Sequence, residues 1–294
     1  MENLNTCFIC GNTEFTEFLN CKDYVATDEI FSIHRCTNCS FLFTNPRPTI
    51  EESGRYYKSD KYMSHANNKT GFIYTIYDIV RTYSIKNKIA LIKRFHQKGK
   101  LMDLGCGLGD FLNGVNKDGT YNAMGVDISD DAIAHVKSRF GLSVYNESAL
   151  NTFEESSFDV ITQWHVLEHV LLLNERMAQL KRLLKPDGTL FIAVPNSDSW
   201  DAKYYNKYWD AYDVPRHLYH FNQKSFNLLM EKNGFKVIET HPMLFDAPYV
   251  SMRSEIHKGS VGAIIKGAVS GIRSTISALK GNNYSSLLFV VKNA

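Results

Sequence analysis

Short apolar runs alternate with amphipathic segments through the second half of the chain. The apolar runs have the length of β-strands and lie at residues 100–104, 123–128, 158–164, 189–194, 235–240 and 285–291. Segments with apolar residues at helical spacing lie between them, at 110–116, 130–140, 173–184 and 224–233. Strands that alternate with helices predict an α/β fold: a doubly wound, mostly parallel sheet with helices on both faces.

The chain divides into three regions that differ in cysteine content and in the pattern of apolar residues. Residues 1–48 carry five of the six cysteines and end in a segment with two prolines. Residues 49–96 have apolar residues at helical spacing and begin at Thr49, which is placed to cap a helix, so we predict a helical connector or lid. Residues 97–294 form the predicted α/β domain. A chain of 294 residues has room for one such domain and a small accessory one.

Composition and charge narrow the class of protein. The chain is 44% hydrophobic and 22% charged, with a formal net charge of +2. This balance shows no basic excess of the kind that nucleic-acid binders carry, so we expect no nucleic-acid partner. The start of the chain has no secretory pattern, and no apolar run approaches the ~18 residues of a membrane-spanning helix. We therefore expect a cytoplasmic protein with reduced cysteines.

Two C-x-x-C pairs occur in the N-terminal region. Cys7 and Cys10 form the first pair, and Cys36 and Cys39 form the second. Four thiolates in two such turns can surround Zn²⁺ tetrahedrally, and this fills all its coordination positions. The pattern predicts a small zinc-ribbon-like domain with a structural metal that replaces a core too small to fold alone. The alternative is a metal-free domain with buried thiols.

A glycine-rich turn with an acidic partner is the main functional signal. Gly105, Gly107 and Gly109 follow an apolar strand and open a helix, where backbone N–H groups can approach a ligand closely. Asp110 stands where a nicotinamide-binding turn would have its third spaced glycine, which disfavours a dinucleotide site. The next strand ends at Asp127, whose carboxylate can accept hydrogen bonds from both hydroxyls of a ribose.

These residues resemble the class I S-adenosylmethionine-dependent methyltransferases. Leu101–Asp110 is similar to the family's first motif, and Gly125–Ser129 is similar to its ribose-binding motif. Segments 158–163 and 184–188 resemble the fourth strand and the turn before the fifth. The resemblance covers roughly residues 85–294 and implies a Rossmann-like sheet of seven strands, of which the last runs antiparallel.

The resemblance also implies roles in binding S-adenosylmethionine. The three glycines pack against the methionine part of the cofactor, Asp127 holds the ribose, and Ile128 flanks the adenine. Gln163 and Trp164 line the cofactor from the fourth strand. The full set of cofactor-binding residues expected on this basis is Asp103, Gly105, Gly107, Gly109, Asp127, Ile128, Gln163 and Trp164.

The N-terminal cysteine pairs joined to such a core resemble a bacterial subgroup of these methyltransferases. Its better understood relatives act on deoxysugars, which implies an acceptor hydroxyl, or a carbon, on a sugar, a polysaccharide precursor or a lipid-linked small molecule. A quinone- or phenol-type O-methyltransferase is a second hypothesis, supported by Glu168 and His169. A third hypothesis is a cofactor-binding interaction protein without turnover.

The segment after the fourth strand contains H-x-x-E-H, formed by His165, Glu168 and His169. On a long helix this spacing would be an inverted zinc-peptidase signature, but here it follows a buried strand. In the resembling family a Glu-His pair lies at the mouth of the active site, and some relatives hold a divalent cation there. Both a polar pocket lining and a metal site remain open from the sequence.

Residues 209–221 gather aromatic rings, two histidines and an aspartate after the fifth strand, and Pro215–Phe221 resembles a recurrent segment of the family. Loops that leave the carboxyl ends of strands in an α/β sheet carry the substrate chemistry. A hydroxyl acceptor needs a base, and neutral histidine suits this role near pH 7. We expect His217 to be the base, with His220 second and Asp213 orienting one of them; His220 could instead bind a neighbouring element.

A basic amphipathic insertion is expected at 256–281. Val261, Ile264, Ile265, Ala268, Ile272, Ile276 and Leu279 form one helical stripe, with lysines and an arginine interspersed. Such a segment can lie on an anionic membrane surface, cover the substrate site as a lid, or form a homodimer contact. Its glycines weaken an isolated helix, which favours a stretch ordered by contact.

Overall fold

A computed structural model describes residues 1–57 and 72–294 of the chain. Eleven strands are found in these ranges and form two sheets. In chain order the strands are β1 (Phe15–Lys22), β2 (Ile30–Cys36), β3 (Leu42–Thr44), β4 (Gly99–Leu104), β5 (Tyr121–Asp127), β6 (Val144–Asn146), β7 (Phe158–Trp164), β8 (Leu184–Pro195), β9 (Tyr219–His220), β10 (Phe235–Pro242) and β11 (Ser286–Asn293).

The larger sheet has seven strands in the order β10-β11-β8-β7-β4-β5-β6. Strands β4 to β8 run parallel to one another, and β11 pairs antiparallel with both β8 and β10. This confirms the predicted Rossmann-like sheet and its antiparallel last strand. The central strands are apolar runs because helices cover both of their faces. The chain order reverses beside β4, so the carboxyl ends of β4 and β7 border the crevice where ligands bind in such sheets.

Nine α-helices lie in the described ranges, together with short 3₁₀ turns. In chain order the helices are α1 (Ile50–Ser53), α2 (Phe72–Phe95), α3 (Asp110–Asp118), α4 (Asp130–Phe140), α5 (Leu173–Leu183), α6 (Trp200–Tyr205), α7 (Gln223–Lys232), α8 (Asp246–His257) and α9 (Ala263–Ala278). Thr49 caps α1 as expected, because its side chain accepts from the backbone of Glu52 and Glu52 reciprocates. The middle of the predicted connector, 58–71, lies outside the described residues.

The N-terminal region forms the second sheet, with the strand order β1-β2-β3-β9. Its last strand comes from the far end of the chain: Leu42 pairs with His220 and Phe43 with Tyr219. Phe41 and Phe43 are buried in one hydrophobic cluster with Phe221 and residues of the large sheet. The predicted division at residue 48 is therefore no division of the hydrophobic core, because the N-terminal strands pack onto the segment that carries the histidines.

Two local expectations from the sequence are corrected. The turn expected at 186–188 lies inside β8, which starts at Leu184 and pairs irregularly with Phe158–Trp164. The insertion expected at 256–281 is not one helix: α8 starts earlier, at Asp246, and a turn at 258–262 separates it from α9. In the part of the chain that the structure describes, no helix has the length and hydrophobicity required to cross a membrane.

Candidate active site

The glycine turn between β4 and α3 adopts left-handed backbone conformations. Gly105, Gly107 and Gly109 have φ values of 79°, 52° and 78°. A Cβ at Gly105 would collide with Val166, and a Cβ at Gly109 would lie 2.7 Å from the side chain of Val136. At Gly107, a Cβ would meet no atom of the described residues within 4 Å. Two glycines are therefore required by packing, whereas Gly107 borders open space that a ligand can enter.

Asp127 ends β5 directly beside this turn. Its carboxylate accepts from the backbone N–H of Gly107 at 2.7 Å and from that of Ser129 at 2.9 Å. Each carboxylate oxygen keeps a lone pair for a ligand hydroxyl, since a carboxylate has about four acceptor sites. The next residue, Ile128, leaves 76% of its surface exposed although it is a large apolar side chain. The geometry offers a hydrogen-bonding group and an apolar platform side by side.

Polar groups collect below the turn on β4 and β7. Asp103 is buried and accepts from the hydroxyl of Thr162 at 2.7 Å, and its burial raises its pKa to about 7. The amide of Gln163 and the indole N–H of Trp164 are buried without a hydrogen-bond partner among the described residues. Lys88 of α2 places its ammonium 3.9 Å from the centre of the Trp164 ring. Buried polar atoms that lack hydrogen-bond partners mark a place where a bound molecule can supply those partners.

The segment after β7 joins the glycine turn to the histidines. Val166 packs against Gly105, and the residues that follow form a 3₁₀ turn at Leu167–His169. The carbonyl of Glu168 accepts from the backbone N–H of Leu218 at 2.8 Å. The few residues from Val166 to His169 therefore connect the glycine turn to the segment around His217, because they contact both.

His217 is held in one ring orientation. Its Nδ1 lies 2.8 Å from the carbonyl oxygen of Ala211, which makes Nδ1 the protonated nitrogen and leaves a lone pair on Nε2. The carboxylate of Asp213 lies 4.0 Å from Nε2. Asp213 does not orient the ring through Nδ1, because it pairs with Arg216, whose Nε donates to it at 3.0 Å. His217 has the geometry of a base, and Asp213 is placed to stabilise its protonated form.

His220 is placed differently from His217. It is buried in β9, and its Nε2 lies 3.1 Å from the hydroxyl of Thr44, which itself donates to the carbonyl of His217. Burial and the neighbouring His217 hold the pKa of His220 well below its usual value. The ring thus joins two strands of the small sheet, the structural role that the sequence left open for it.

The histidines that flank Glu168 differ in charge. Burial opposes protonation of His165, but Asp246 at 3.1 Å and Glu168 at 3.4 Å raise its pKa to about 10, so it is an imidazolium near pH 7. Burial and His217 lower the pKa of His169 to about 4, so that ring is neutral. His165 has no free lone pair with which to accept a proton.

Three of these groups are close enough to hold a cation together. Ligand atoms of Glu168, His169 and His217 lie within 4.8 Å of one another. The metal set left open by the sequence was His165, Glu168 and His169, but His217 takes the place of His165 in this group, and His165 lies 3.1 Å from Asp246. The same three groups can equally line a polar pocket around an acceptor hydroxyl.

The four paired cysteines also converge. The Sγ atoms of Cys7, Cys10, Cys36 and Cys39 lie within 4.8 Å of one another, and two of the Sγ–Sγ distances are 3.5 Å. A tetrahedral zinc site with Zn–S bonds near 2.3 Å requires sulfur atoms about 3.8 Å apart. The donor set and spacing fit Zn²⁺. Cys7, Cys36 and Cys39 belong to the shared hydrophobic cluster, whereas Cys10 is exposed.

Two residues near the site were not found from the sequence. Lys88 is one lysine among several in the connector, and no pattern distinguishes it before the fold brings it over Trp164. Arg216 lies inside the segment resembling the family, yet its partners are Asp213, Asp23 and the carbonyl of Tyr56, which are far apart in sequence. Only the tertiary structure shows these contacts.

Comparisons with known proteins agree with this geometry. A family model described as a methyltransferase domain matches residues 77–240, more than half of the chain. The ubiquinone biosynthesis O-methyltransferase of Methylococcus capsulatus is 30% identical over 149 residues, which are 47% of this chain and 60% of that protein. The chain covers 60%, 61% and 46% of the lengths of the first three curated relatives that it matches.

Solved structures share the fold. An S-adenosylmethionine-dependent methyltransferase from Archaeoglobus fulgidus superposes with a TM-score of 0.50 at 19% identity, over 76% of this chain and all of that one. Phosphoethanolamine N-methyltransferase 2 of Haemonchus contortus, solved with S-adenosylhomocysteine, gives a TM-score of 0.55 at 19% identity, over 86% of this chain and 62% of that one. Together with the family match and the glycine turn, these findings show that the chain belongs to the class I S-adenosylmethionine-dependent methyltransferases.

Proposed function

We propose that the chain transfers a methyl group from S-adenosylmethionine to a hydroxyl of a small acceptor, with His217 as the base. The observation that carries the proposal is the orientation of the His217 ring. Because Nδ1 is bound to the Ala211 carbonyl, the free lone pair is on Nε2, and a ring nitrogen of His217 lies within 4.8 Å of a ligand atom of Glu168. Glu168 belongs to the same short segment that packs against the glycine turn through Val166.

The residues of the turn fit the cofactor. Gly107 borders the space where a side chain would stand, Asp127 offers free lone pairs to the ribose hydroxyls, and exposed Ile128 provides a surface for the adenine. Gln163 and Trp164 have buried polar atoms that a bound molecule would satisfy. Asp103, also expected to bind the cofactor, is buried below the turn and accepts from the hydroxyl of Thr162, and we propose that it supports the turn.

When bound, S-adenosylmethionine would supply a methyl group attached to a positively charged sulfur, and the sulfur would keep the electron pair of the broken sulfur–carbon bond. His217 Nε2 would take the proton of the acceptor hydroxyl as its oxygen bonds to the methyl carbon. Asp213, 4.0 Å from Nε2, stabilises the imidazolium that results. Alignment of the acceptor in line with the sulfur supplies much of the rate, so the walls of the pocket matter as much as the base.

The acidity of the acceptor favours a phenol-type hydroxyl over a sugar hydroxyl. A phenol has a pKa near 10, so its proton passes to a neutral imidazole at much lower cost than that of an aliphatic alcohol. The relative from Methylococcus capsulatus, named for ubiquinone biosynthesis, supports the same class of acceptor. A sugar or polysaccharide-precursor hydroxyl, implied by the resemblance of the N-terminal region, is the competing acceptor for the test.

The test measures S-adenosylhomocysteine release with 3,4-dihydroxybenzoate and with a methyl glucoside as acceptors. We expect turnover with the catechol, and a fall of roughly 100-fold or more in His217→Gln with unchanged affinity for S-adenosylmethionine. His241→Gln is the matched control, because His241 pairs with Glu239 on β10 and should leave turnover unchanged. Full turnover in His217→Gln would reject the base, and turnover with the glucoside alone would reject the phenol. Cofactor binding without turnover on either acceptor would support the non-catalytic alternative.

We also propose that Cys7, Cys10, Cys36 and Cys39 hold a structural Zn²⁺. The proposal is supported by the convergence of the four sulfur atoms. Metal analysis of the purified chain should give one zinc per chain, and Cys10→Ser should lose it together with thermal stability. Cys21→Ser is the control, since Cys21 is buried away from the cluster and should keep the metal. A full zinc content in Cys10→Ser would reject this assignment.

A further inference from the structure

The helix α9 exposes its large apolar residues. The side that packs on α8 consists of small residues: a Cβ at Gly267 would collide with the backbone of Met252, and a Cβ at Gly271 would lie 2.5 Å from Pro248. The opposite side carries branched apolar side chains that are 52% to 90% exposed. They are Val261, Ile264, Ile265, Val269, Ile272, Ile276 and Leu279. A surface helix that covers a core turns its large apolar residues inward. Helix α9 does the reverse: its small residues face inward and its large apolar residues face outward.

The outward orientation of this face is fixed by hydrogen bonds. The hydroxyl of Ser274, on the inner side of α9, donates to the buried carboxylate of Asp201 at 2.7 Å. Asp201 also accepts from Trp209 at 2.9 Å and from Ser285 at 2.6 Å. Rotation of α9 to bury its apolar side chains would leave this carboxylate short of a donor and separate glycines that allow close helix packing. In the described residues, the stripe therefore faces outward and covers no other part of the chain.

Basic side chains border the exposed apolar face on one side. Lys266 and Arg273 are exposed and seven residues apart, so they lie in one row along the helix, and exposed Lys280 follows in the turn just after its end. No Asp or Glu occurs between residues 256 and 294. The face and its border therefore carry positive charge that no acidic group of the same segment neutralises.

Aromatic residues extend the same surface. Trp200 and Tyr204 of α6 stack with their ring centres 4.7 Å apart. The guanidinium of Arg273 lies 5.9 Å from the Trp200 ring, and the ammonium of Lys258 lies 5.2 Å from the Tyr204 ring. Trp and Tyr rings next to basic side chains are enriched where a protein surface meets lipid headgroups.

We propose that the hairpin of α8 and α9, residues 246–278, docks the protein on an anionic lipid bilayer. The apolar face enters the boundary between headgroups and acyl chains, and the basic row contacts the phosphates. A second copy of the chain fits this face less well, because two such helices would bring their basic rows together with no acid to pair them. The bilayer satisfies the apolar and the charged parts of the surface at once.

Docking would also orient the candidate site. Asp246, the first residue of α8, lies 3.1 Å from His165 beside the histidine cluster. The hairpin therefore begins at the site and extends from there to the proposed lipid surface. The docking does not depend on the methyl-transfer chemistry, and either can fail without the other.

The test is flotation of the full chain with vesicles of phosphatidylcholine alone or mixed with phosphatidylglycerol. We expect binding to the anionic vesicles, little binding to the neutral ones, and weaker binding as salt is raised. Lys266→Glu/Arg273→Glu/Lys280→Glu should bind roughly 100-fold less, since each basic residue near an anionic surface contributes to partitioning. Ile265→Ser/Ile272→Ser should lose roughly tenfold or more.

Matched controls separate the surface from general effects. Lys137→Glu/Arg139→Glu on α4 removes exposed basic residues elsewhere, and Ile30→Ser removes an Ile that is 71% exposed on β2; both should bind as the wild type does. Failure of the wild-type chain to float with anionic vesicles would overturn the proposal. So would a lipid-free dimer by light scattering that Ile265→Ser/Ile272→Ser converts to monomers, because the face would then belong to a second copy.

Discussion

Arg216 donates from Nη2 to Oδ1 of Asp23 at 3.0 Å, and both side chains are buried. Asp23 lies in the loop after β1, whereas Arg216 precedes the candidate base His217. The same guanidinium donates to Asp213 and to the carbonyl of Tyr56. One side chain thus joins the N-terminal sheet to the segment that carries the proposed chemistry.

Replacement of Arg216 should destabilise the whole fold. Arg216→Met leaves the carboxylates of Asp23 and Asp213 without their cation, and breaking a buried pair costs about 3 to 5 kcal/mol. Arg94→Met is the control, because Arg94 forms an exposed pair with Glu239 and should cost less than about 1 kcal/mol. Urea denaturation gives both free energies of unfolding. Similar small losses in the two variants would contradict the role of Arg216 as the connector.

The same pair predicts how stability depends on acid. Burial alone would raise the pKa of Asp23, but the Arg216 guanidinium and backbone N–H donors lower it below its usual value. Asp213 is shifted in the same direction, against its burial, by Arg216. The stability from a carboxylate with a lowered pKa is complete above the unfolded value near 3.9 and is lost as pH falls through the folded value.

We therefore expect the free energy of unfolding of the wild type to fall as the pH is lowered below about 4. Asp23→Asn should be less stable at pH 7 and show a shallower slope over that range, because one of the protonation steps is absent. Denaturation curves at a series of pH values give the slopes. Equal slopes in the two proteins would show that Asp23 does not contribute.

The glycine turn allows a clean separation of strain from ligand contact. Gly107 and Gly119 both have positive φ, 52° and 72°, and a Cβ at either would meet no described atom within 4 Å. Alanine at each position should cost a similar free energy of folding, about 1 kcal/mol. Only Gly107→Ala should raise the dissociation constant for S-adenosylmethionine, by roughly tenfold or more, because its methyl group enters the ligand space. Calorimetry that finds equal affinities in both variants would place the cofactor elsewhere.

Ser40 offers a stabilising substitution beside the cysteine cluster. It follows Cys39 and has φ 65°, a left-handed conformation that favours glycine, and Gly11 has φ 74° after Cys10. Ser40→Gly should raise the free energy of unfolding by about 1 kcal/mol, since the L side chain is disfavoured there. Ser138→Gly, inside α4, should lower it by about as much. Loss of stability in Ser40→Gly would mean that the serine side chain makes a compensating contact.

The sequence predicts the large sheet well because each central strand is an apolar run that ends near a recognisable turn. Phe158–Trp164 is observed with the expected bounds, and Gly234, with φ 71°, follows α7 in the left-handed conformation expected of a helix cap. The pairing of β3 with His220 could not be predicted, because the two residues of β9 carry no periodicity and Leu42, the partner of His220, lies 178 positions earlier.

The sequence predicts which residues lie at the candidate site better than it predicts the contacts that their side chains make. The spacing of residues within a motif reflects the path of the backbone. For this reason one connected segment brings together the glycines, Asp127 and the histidines. The partner of each side chain depends on tertiary contacts: His165 binds Asp246, and His217 binds the Ala211 carbonyl. The apolar stripe on α9 was correctly recognised, but its exposure was not predicted. Helical periodicity shows which residues share one side of a helix, and it does not show whether that side is buried or exposed.

Calorimetric titration of S-adenosylmethionine into the wild type and Asp127→Asn tests whether the cofactor binds at the glycine turn beside Asp127. Asparagine keeps the size of the side chain but removes the charge and half of the acceptor capacity beside the glycine turn. We predict one cofactor per wild-type chain and roughly tenfold or more weaker binding to Asp127→Asn. Asp131→Asn, in the exposed first turn of α4, should bind as the wild type does. No binding to the wild type, or equal affinities for wild type and Asp127→Asn, would contradict the assignment.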